Sequence, residues 1–309
     1  MSVRSGLRIA VRVVLAALAY LISFVVSYGL VMPAVPPDPS AAASPLSAAG
    51  AMLLMAALHT AVMAWLILRS RLSGRQLAVT ITSVFFGVQS LLPQVESWIF
   101  QAYPRFASHL PVGMVPRIMI AGLIQAWLWI PLAVWILGRW RDGEATARSD
   151  RAGAPDRALE PLAPWGWRLP FAAAAYVVLY FVFGYYVAWR SPAVAAYYGG
   201  TDPGAFWPQM RSVLRDTPWL PLAQAVRGFV WTAIGIAVLR SMRGSLTEKA
   251  LAVGALFAVV MDAGLLLPNP YMPYEVRMVH LVETGSSNFL FGVLVGWLFR
   301  STPPTAASR

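Results

Sequence analysis

The last long apolar run of the chain, 277–299, carries Arg277, His280 and Glu283 at three-residue spacing. On a helix turning about 100° per residue, these three and Thr284, Ser287 and Asn288 fall within an arc of about 140°. Hydrocarbon cannot solvate such a stripe. An ionisable group there costs about 2.5–3.5 kcal/mol on insertion scales, so it is expected to face the protein interior and pair. His59, Arg227 and Asp262 lie in other apolar runs, with Gln89, Glu96 and Gln125 as further polar groups. At about 1.5 Å per residue, Asp262 and Glu283 each lie roughly 9 Å below the outer ends of their runs, and Arg227 and His59 roughly 14 Å. Groups from four separate runs therefore share the outer half of a bilayer. Such a set can bind an ion or carry a proton, with Asp262 or Glu283 as the acid and Arg227 as counter-charge. His280, His59 and Asn288 complete the candidate site. The plainer alternative is a self-satisfied network, Arg227 paired with Asp262 or Glu283, that fixes register between helices.

Arg117 and Arg277 recur at equivalent outer ends of two runs and are expected to reach headgroups or to gate an anion entrance. Other chemistry is poorly supported. His280-x-x-Glu283 is half of a carboxylate-bridged metal set whose other half is missing, so no metal is expected. Ser286 and Ser287 share a helix with His280 and sit in no Gly-x-Ser-x-Gly elbow. No Gly-x-x-x-x-Gly-Lys loop occurs, and with no cysteine thiolate chemistry is excluded. Neither a catalytic residue nor a cofactor is assigned.

The elements that must position these groups follow from composition. The 309 residues are 58% hydrophobic and 12% charged, half the charge of an ordinary soluble domain at about 25%. A helix crosses the bilayer with about 20 apolar residues, and eight runs suffice: 8–32, 47–68, 77–100, 114–138, 169–189, 218–239, 250–268 and 277–299. The third and seventh run into Pro93 and Pro268. The first is too long for the roughly 7–15-residue core of a signal peptide. The expected fold is all-α and polytopic, with eight transmembrane helices.

The formal charge is +11. Basic residues cluster at the ends of runs without interleaved aromatics, which argues for lipid headgroups and against nucleic acid. Taking alternate loops, 17 of the 24 basic residues fall on one side, six on the other, and Arg227 within a run. The positive-inside rule then places both termini in the cytoplasm. The near absence of lysine (Lys249 alone) and the many alanines suggest a high-GC genome and a bacterial cytoplasmic membrane. On the outer side, Pro33–Pro45 should be extended. The segment 191–218, with Tyr197, Tyr198 and Trp207, should lie on the headgroups or cover an outward-facing cavity.

Short matches recur in order between the halves: Ala19-Tyr20 with Ala175-Tyr176, Leu68-Arg69-Ser70 with Leu239-Arg240-Ser241, Leu91-Leu92-Pro93 with Leu266-Leu267-Pro268, and Arg117 with Arg277. They suggest two four-helix repeats, 1–140 and 168–300, joined by a polar linker at 141–167 and followed by a tail at 301–309. An even number of spans per copy makes the repeats parallel, related by an axis along the membrane normal. Only the second copy carries the charges, since Ile120 and Leu123 align with His280 and Glu283. Gly292-x-x-x-Gly296 permits close approach of a neighbouring helix. The favoured function is a translocator of a small solute or ion, proton-linked, with its site between the repeats and membrane lipids around it. A membrane-embedded enzyme acting on a lipid-like substrate and a scaffold without a site of its own are the alternatives.

Overall fold

The computed structural model describes residues 3–34, 36–101, 109–140 and 165–300. Most of the linker expected at 141–167, the tail at 301–309 and Arg105 lie outside them. Among the described residues, eight helices are long and apolar enough to cross a membrane. They are α1 (Val3–Val31), α2 (Ala48–Leu68), α3 (Gly74–Gln101), α4 (Met114–Ile136), α5 (Arg168–Trp189), α8 (Leu220–Ser241), α9 (Leu246–Leu266) and α10 (Tyr274–Leu298). Two short helices, α6 (Pro192–Tyr197) and α7 (Phe206–Asp216), join α5 to α8. The chain thus has the architecture of a multi-pass membrane protein.

The helices that meet proline do so through irregular turns. In α3 a wide i→i+5 turn at Gly87–Leu91 precedes Pro93. A proline ring would otherwise collide with the carbonyl four residues back, and a wide turn relieves the crowding. In α9 a wide turn at Leu256–Val260 is followed by a tight 3-10 turn at Ala263–Leu266, and the helix stops short of Pro268. Asp262 sits between the two turns. A third wide turn, Gly184–Trp189, ends α5.

In the first four spanning helices, α1 packs on α2 and α4, and α3 packs on α4. Among the second four, α5 packs on α8 and α10, and α9 packs on α10. The two sets meet where α2 touches α9 and α3 touches α8. At the arginine-rich end, the turns after α2 and α8 exchange reciprocal backbone bonds. Arg71 N donates to Ser241 O at 2.6 Å, and Arg243 N donates to Arg69 O at 2.7 Å. Arg139, just past the end of α4, braces this bridge, donating through Nη2 to Ser70 O and Leu72 O at 2.7 and 2.9 Å.

Close approach between α9 and α10 depends on glycine. A β-carbon at Gly292 would lie 2.7 Å from the backbone of Gly254, and one at Gly296 would lie 2.4 Å from that of Ala250. Gly228 plays the same part between α8 and α5, where a β-carbon would fall 2.9 Å from Tyr176 Cβ. The first set of helices buries an aromatic cluster instead: Tyr20, Phe85 and Trp129 meet edge to face around His59.

Candidate functional site

The polar groups gather near the proline-rich end of the bundle. On α10, His280 Nδ1 lies 2.7 Å from Glu283 Oε2, one helical turn along the same face. His280 Nε2 is 3.3 Å from the hydroxyl of Tyr198, just past α6. Burial pushes the Tyr198 phenol up, and the charges of Glu283 and Glu96 push the same way. Its proton is therefore retained and is available to His280 Nε2, which leaves Nδ1–H to donate to Glu283.

The next residue, Thr284, donates its hydroxyl to Asp262 Oδ1 at 2.7 Å. Asp262 is buried, and its Oδ2 has no hydrogen-bond partner. Glu283 lies within electrostatic reach of Asp262. Asn288, one turn further along α10, donates to the sulfur of Met261 at 2.9 Å. The acid pair therefore joins a broken helix, α9, to the polar face of α10.

Arg227 lies elsewhere than expected. Its Nη1 is 2.7 Å from Glu96 Oε1 on α3 and donates to Gln224 Oε1 at 2.7 Å. Gln224 in turn donates to Glu96 at 3.2 Å. Pairing of Arg227 with Asp262 or Glu283 is thus replaced by pairing with Glu96, on the other set of helices. The reason is reach: a long guanidinium side chain extends well beyond its own backbone level, so counting residues along the helix misplaces its charge. Tyr176 packs over the guanidinium at 5.8 Å, held close by Gly228. Tyr180, one turn on, lies within electrostatic reach of Glu96, Arg227 and Glu283 and so links the ion pair to the acid pair.

His59 is fully buried, and both ring nitrogens are occupied. Nε2 faces Val260 O at 3.0 Å, and Nδ1 faces the Tyr20 hydroxyl at 2.6 Å. A carbonyl only accepts, so Nε2 carries the proton and Nδ1 accepts from Tyr20. Val260 closes the wide turn of α9, where helical bonding leaves carbonyls open. His59 fills that need from α2, two residues before Asp262. It supports the site without belonging to its charged face.

Arg277 and Arg117 part company. Arg117 is exposed. Arg277 is only 1% exposed, and its Nη1 meets Asp38 Oδ2 at 2.8 Å and Met272 O at 2.8 Å. It therefore serves a buried ion pair and is withdrawn from headgroups. Asp38 also accepts from Ser40 N, Ser40 Oγ and Asn269 N at 2.7–3.0 Å. Burial alone would raise the Asp38 carboxyl, but the bonds from Ser40 and Arg277 prevail and hold it down at about 2. These contacts fold the proline-rich segment after α1 over the start of α10.

Glu96, Tyr176, Tyr180, Tyr198 and Asp38 were not among the candidates drawn from the sequence. Glu96 had a signal, as an acid inside an apolar run, and Tyr198 stood in the aromatic segment expected to lie on the headgroups or cover a cavity. Among the described residues, no three His, Cys, Asp or Glu side chains come together as a metal-ligand set. No protein-family model matches the chain, and no curated protein or solved structure matches it either.

Proposed function

We propose that the chain is a proton-linked translocator of a small solute or ion, built from two parallel four-helix repeats with the site between them, in a bacterial cytoplasmic membrane with both termini cytoplasmic. The corresponding helix neighbours in the two sets and the reciprocal bonds between the turns after α2 and α8 support the repeat reading. The charge balance of the site carries the functional one. Glu96 compensates Arg227 and Asp38 compensates Arg277, so Glu283, which meets His280, and Asp262, which meets Thr284, are left with one basic group between them. Two carboxylates in one low-dielectric site do not both stay ionised against one such partner. The pair therefore holds an exchangeable proton. Tyr198, His280 and Glu283 form a chain along which that proton reaches the proline-rich end.

Infrared difference spectroscopy of the full-length protein tests this. Between neutral and alkaline pH, the carbonyl stretch of a protonated, buried carboxyl should appear in the wild type and vanish in Asp262→Asn or Glu283→Gln, with insertion unchanged. A spectrum without that band, or a band untouched by both substitutions, would sink the proposal.

A further inference from the structure

Arg227 is 4% exposed and uses only Nη1 on protein partners. Its Nε and Nη2 are buried and have no hydrogen-bond partner. These two nitrogens lie on one edge of the guanidinium, and their N–H groups run parallel, spaced to meet both oxygens of a carboxylate. Leaving donors of a charged group unmet in the interior is costly; Arg277 leaves the same two nitrogens unmet but is closed in with Asp38, whereas the fork of Arg227 lies beside a partly exposed carboxylate and can be reached. The Tyr176 ring walls one face. Access lies beside Glu96, whose side chain is 22% exposed while that of Arg227 is 5%.

We infer that Arg227 is the solute-binding group and that the solute is a small monocarboxylate carried together with one proton. This rests on the translocator reading and specifies its substrate class. The charge count sets the stoichiometry. Arg227 and Glu96 cancel, so a carboxylate seated on the fork leaves one negative charge uncompensated in a low-dielectric site. One proton on the reachable Glu96 restores neutrality, whereas a phosphate dianion would need two. The groups facing Glu96 are Arg227 and Gln224 from α8, Tyr180 and Tyr176 from α5, and Tyr198 beyond α6, with Glu283 of α10 next in line through Tyr180. None but Glu96 is a carboxylate in contact with the guanidinium.

The test is ligand-dependent thermal stability of the purified full-length protein in uncharged detergent, with acetate and lactate as probes and chloride at matched ionic strength as control. Wild type should show a saturable rise in Tm with either probe that is about tenfold more sensitive to ligand at about pH 5.5 than at about pH 7.5. Glu96→Gln should bind at the higher pH as wild type does at the lower, a gain that structural damage would not produce. Arg227→Lys keeps the charge, loses the fork and should weaken binding about tenfold. If Arg227→Lys does not fold, the Glu96→Gln result decides. Asp262→Asn should keep acetate binding, which separates this inference from the acid-pair proton. The inference is overturned by no saturable shift in wild type, by a shift equal to that of chloride, or by a Glu96→Gln protein that keeps the wild-type pH dependence. It is also overturned if inorganic phosphate or phosphatidylglycerol stabilises the protein and the carboxylates do not, which would make the fork a lipid headgroup site.

Discussion

Arg277 and Arg227 each bring Nη1 to within 2.7–2.8 Å of a carboxylate, yet the side chain of Asp38 is 2% exposed and that of Glu96 is 22%. Asp38 is saturated by four donors and joins a loop to the start of a helix. Glu96 accepts from Arg227 and Gln224 and joins the two sets of helices. The same pair of residue types thus makes a sealed clamp in one place and an approachable site in the other. The exposure of the carboxylate and the number of competing donors decide which.

The largest effect expected from this contrast is on stability. Removing one partner of a buried pair costs about 3–5 kcal/mol, because the other charge is left stranded. Asp38→Ala should lose that much in unfolding measurements in mixed micelles. Glu96→Ala should lose less than Asp38→Ala, since Glu96 is the more exposed carboxylate and Gln224 still accepts from Arg227. Equal losses would erase the distinction.

A smaller effect follows at Gly228. Alanine there meets Tyr176 and Ala173 at 2.9 and 3.1 Å, and overpacking of this kind costs about 1–3 kcal/mol. Gly228→Ala should also weaken acetate binding by moving Tyr176 relative to Arg227, while leaving the Asp38 clamp intact. Unchanged stability and binding would show that the approach of α5 to α8 is not what shapes the site.

The contrast extends to pH. A carboxyl held at about 2 contributes stability that is complete above its unfolded value of about 3.9 and fades as pH falls through about 2. The stability difference between wild type and Asp38→Asn should therefore be flat from neutral pH to about pH 5 and shrink only below about pH 4. A difference that shrinks already between neutral pH and about pH 5 would mean that Asp38 is not clamped.

The smallest effect is expected at the cover of the site. Tyr198→Phe removes one 3.3 Å hydrogen bond to His280, worth about 0.5–1.5 kcal/mol. Amide exchange should quicken in α6 and stay unchanged at Asp38 and Ser40. Uniform protection in both places would remove Tyr198 from the proton chain.

The eight spans were legible because each is a continuous apolar run, and the observed helix ends differ from the expected ones by a few residues. The pairing of His280 with Glu283 and the tight contact at Gly292 and Gly296 also follow from helical periodicity. Partners drawn from other elements did not follow. Asp38 lies in a proline-rich loop with no period to betray that it folds back onto Arg277. Glu96 lies beyond a wide turn that resets the phase of α3, so its facing direction is not given by counting. Tyr20 on α1 and Tyr176 on α5 serve different ends. One fixes the tautomer of His59, and the other covers a guanidinium.

The reciprocal backbone bonds between the turns at Arg71 and Arg243 have a mechanical consequence. They tie the two sets of helices together at the arginine-rich end, with Ser70 Oγ and the Arg139 side chain adding to the bridge. At the far, proline-rich end the Asp38–Arg277 clamp ties the loop after α1 to the start of α10, so the two sets are held at both ends. Turning of one set about the line through the two ties is then the motion that breaks neither.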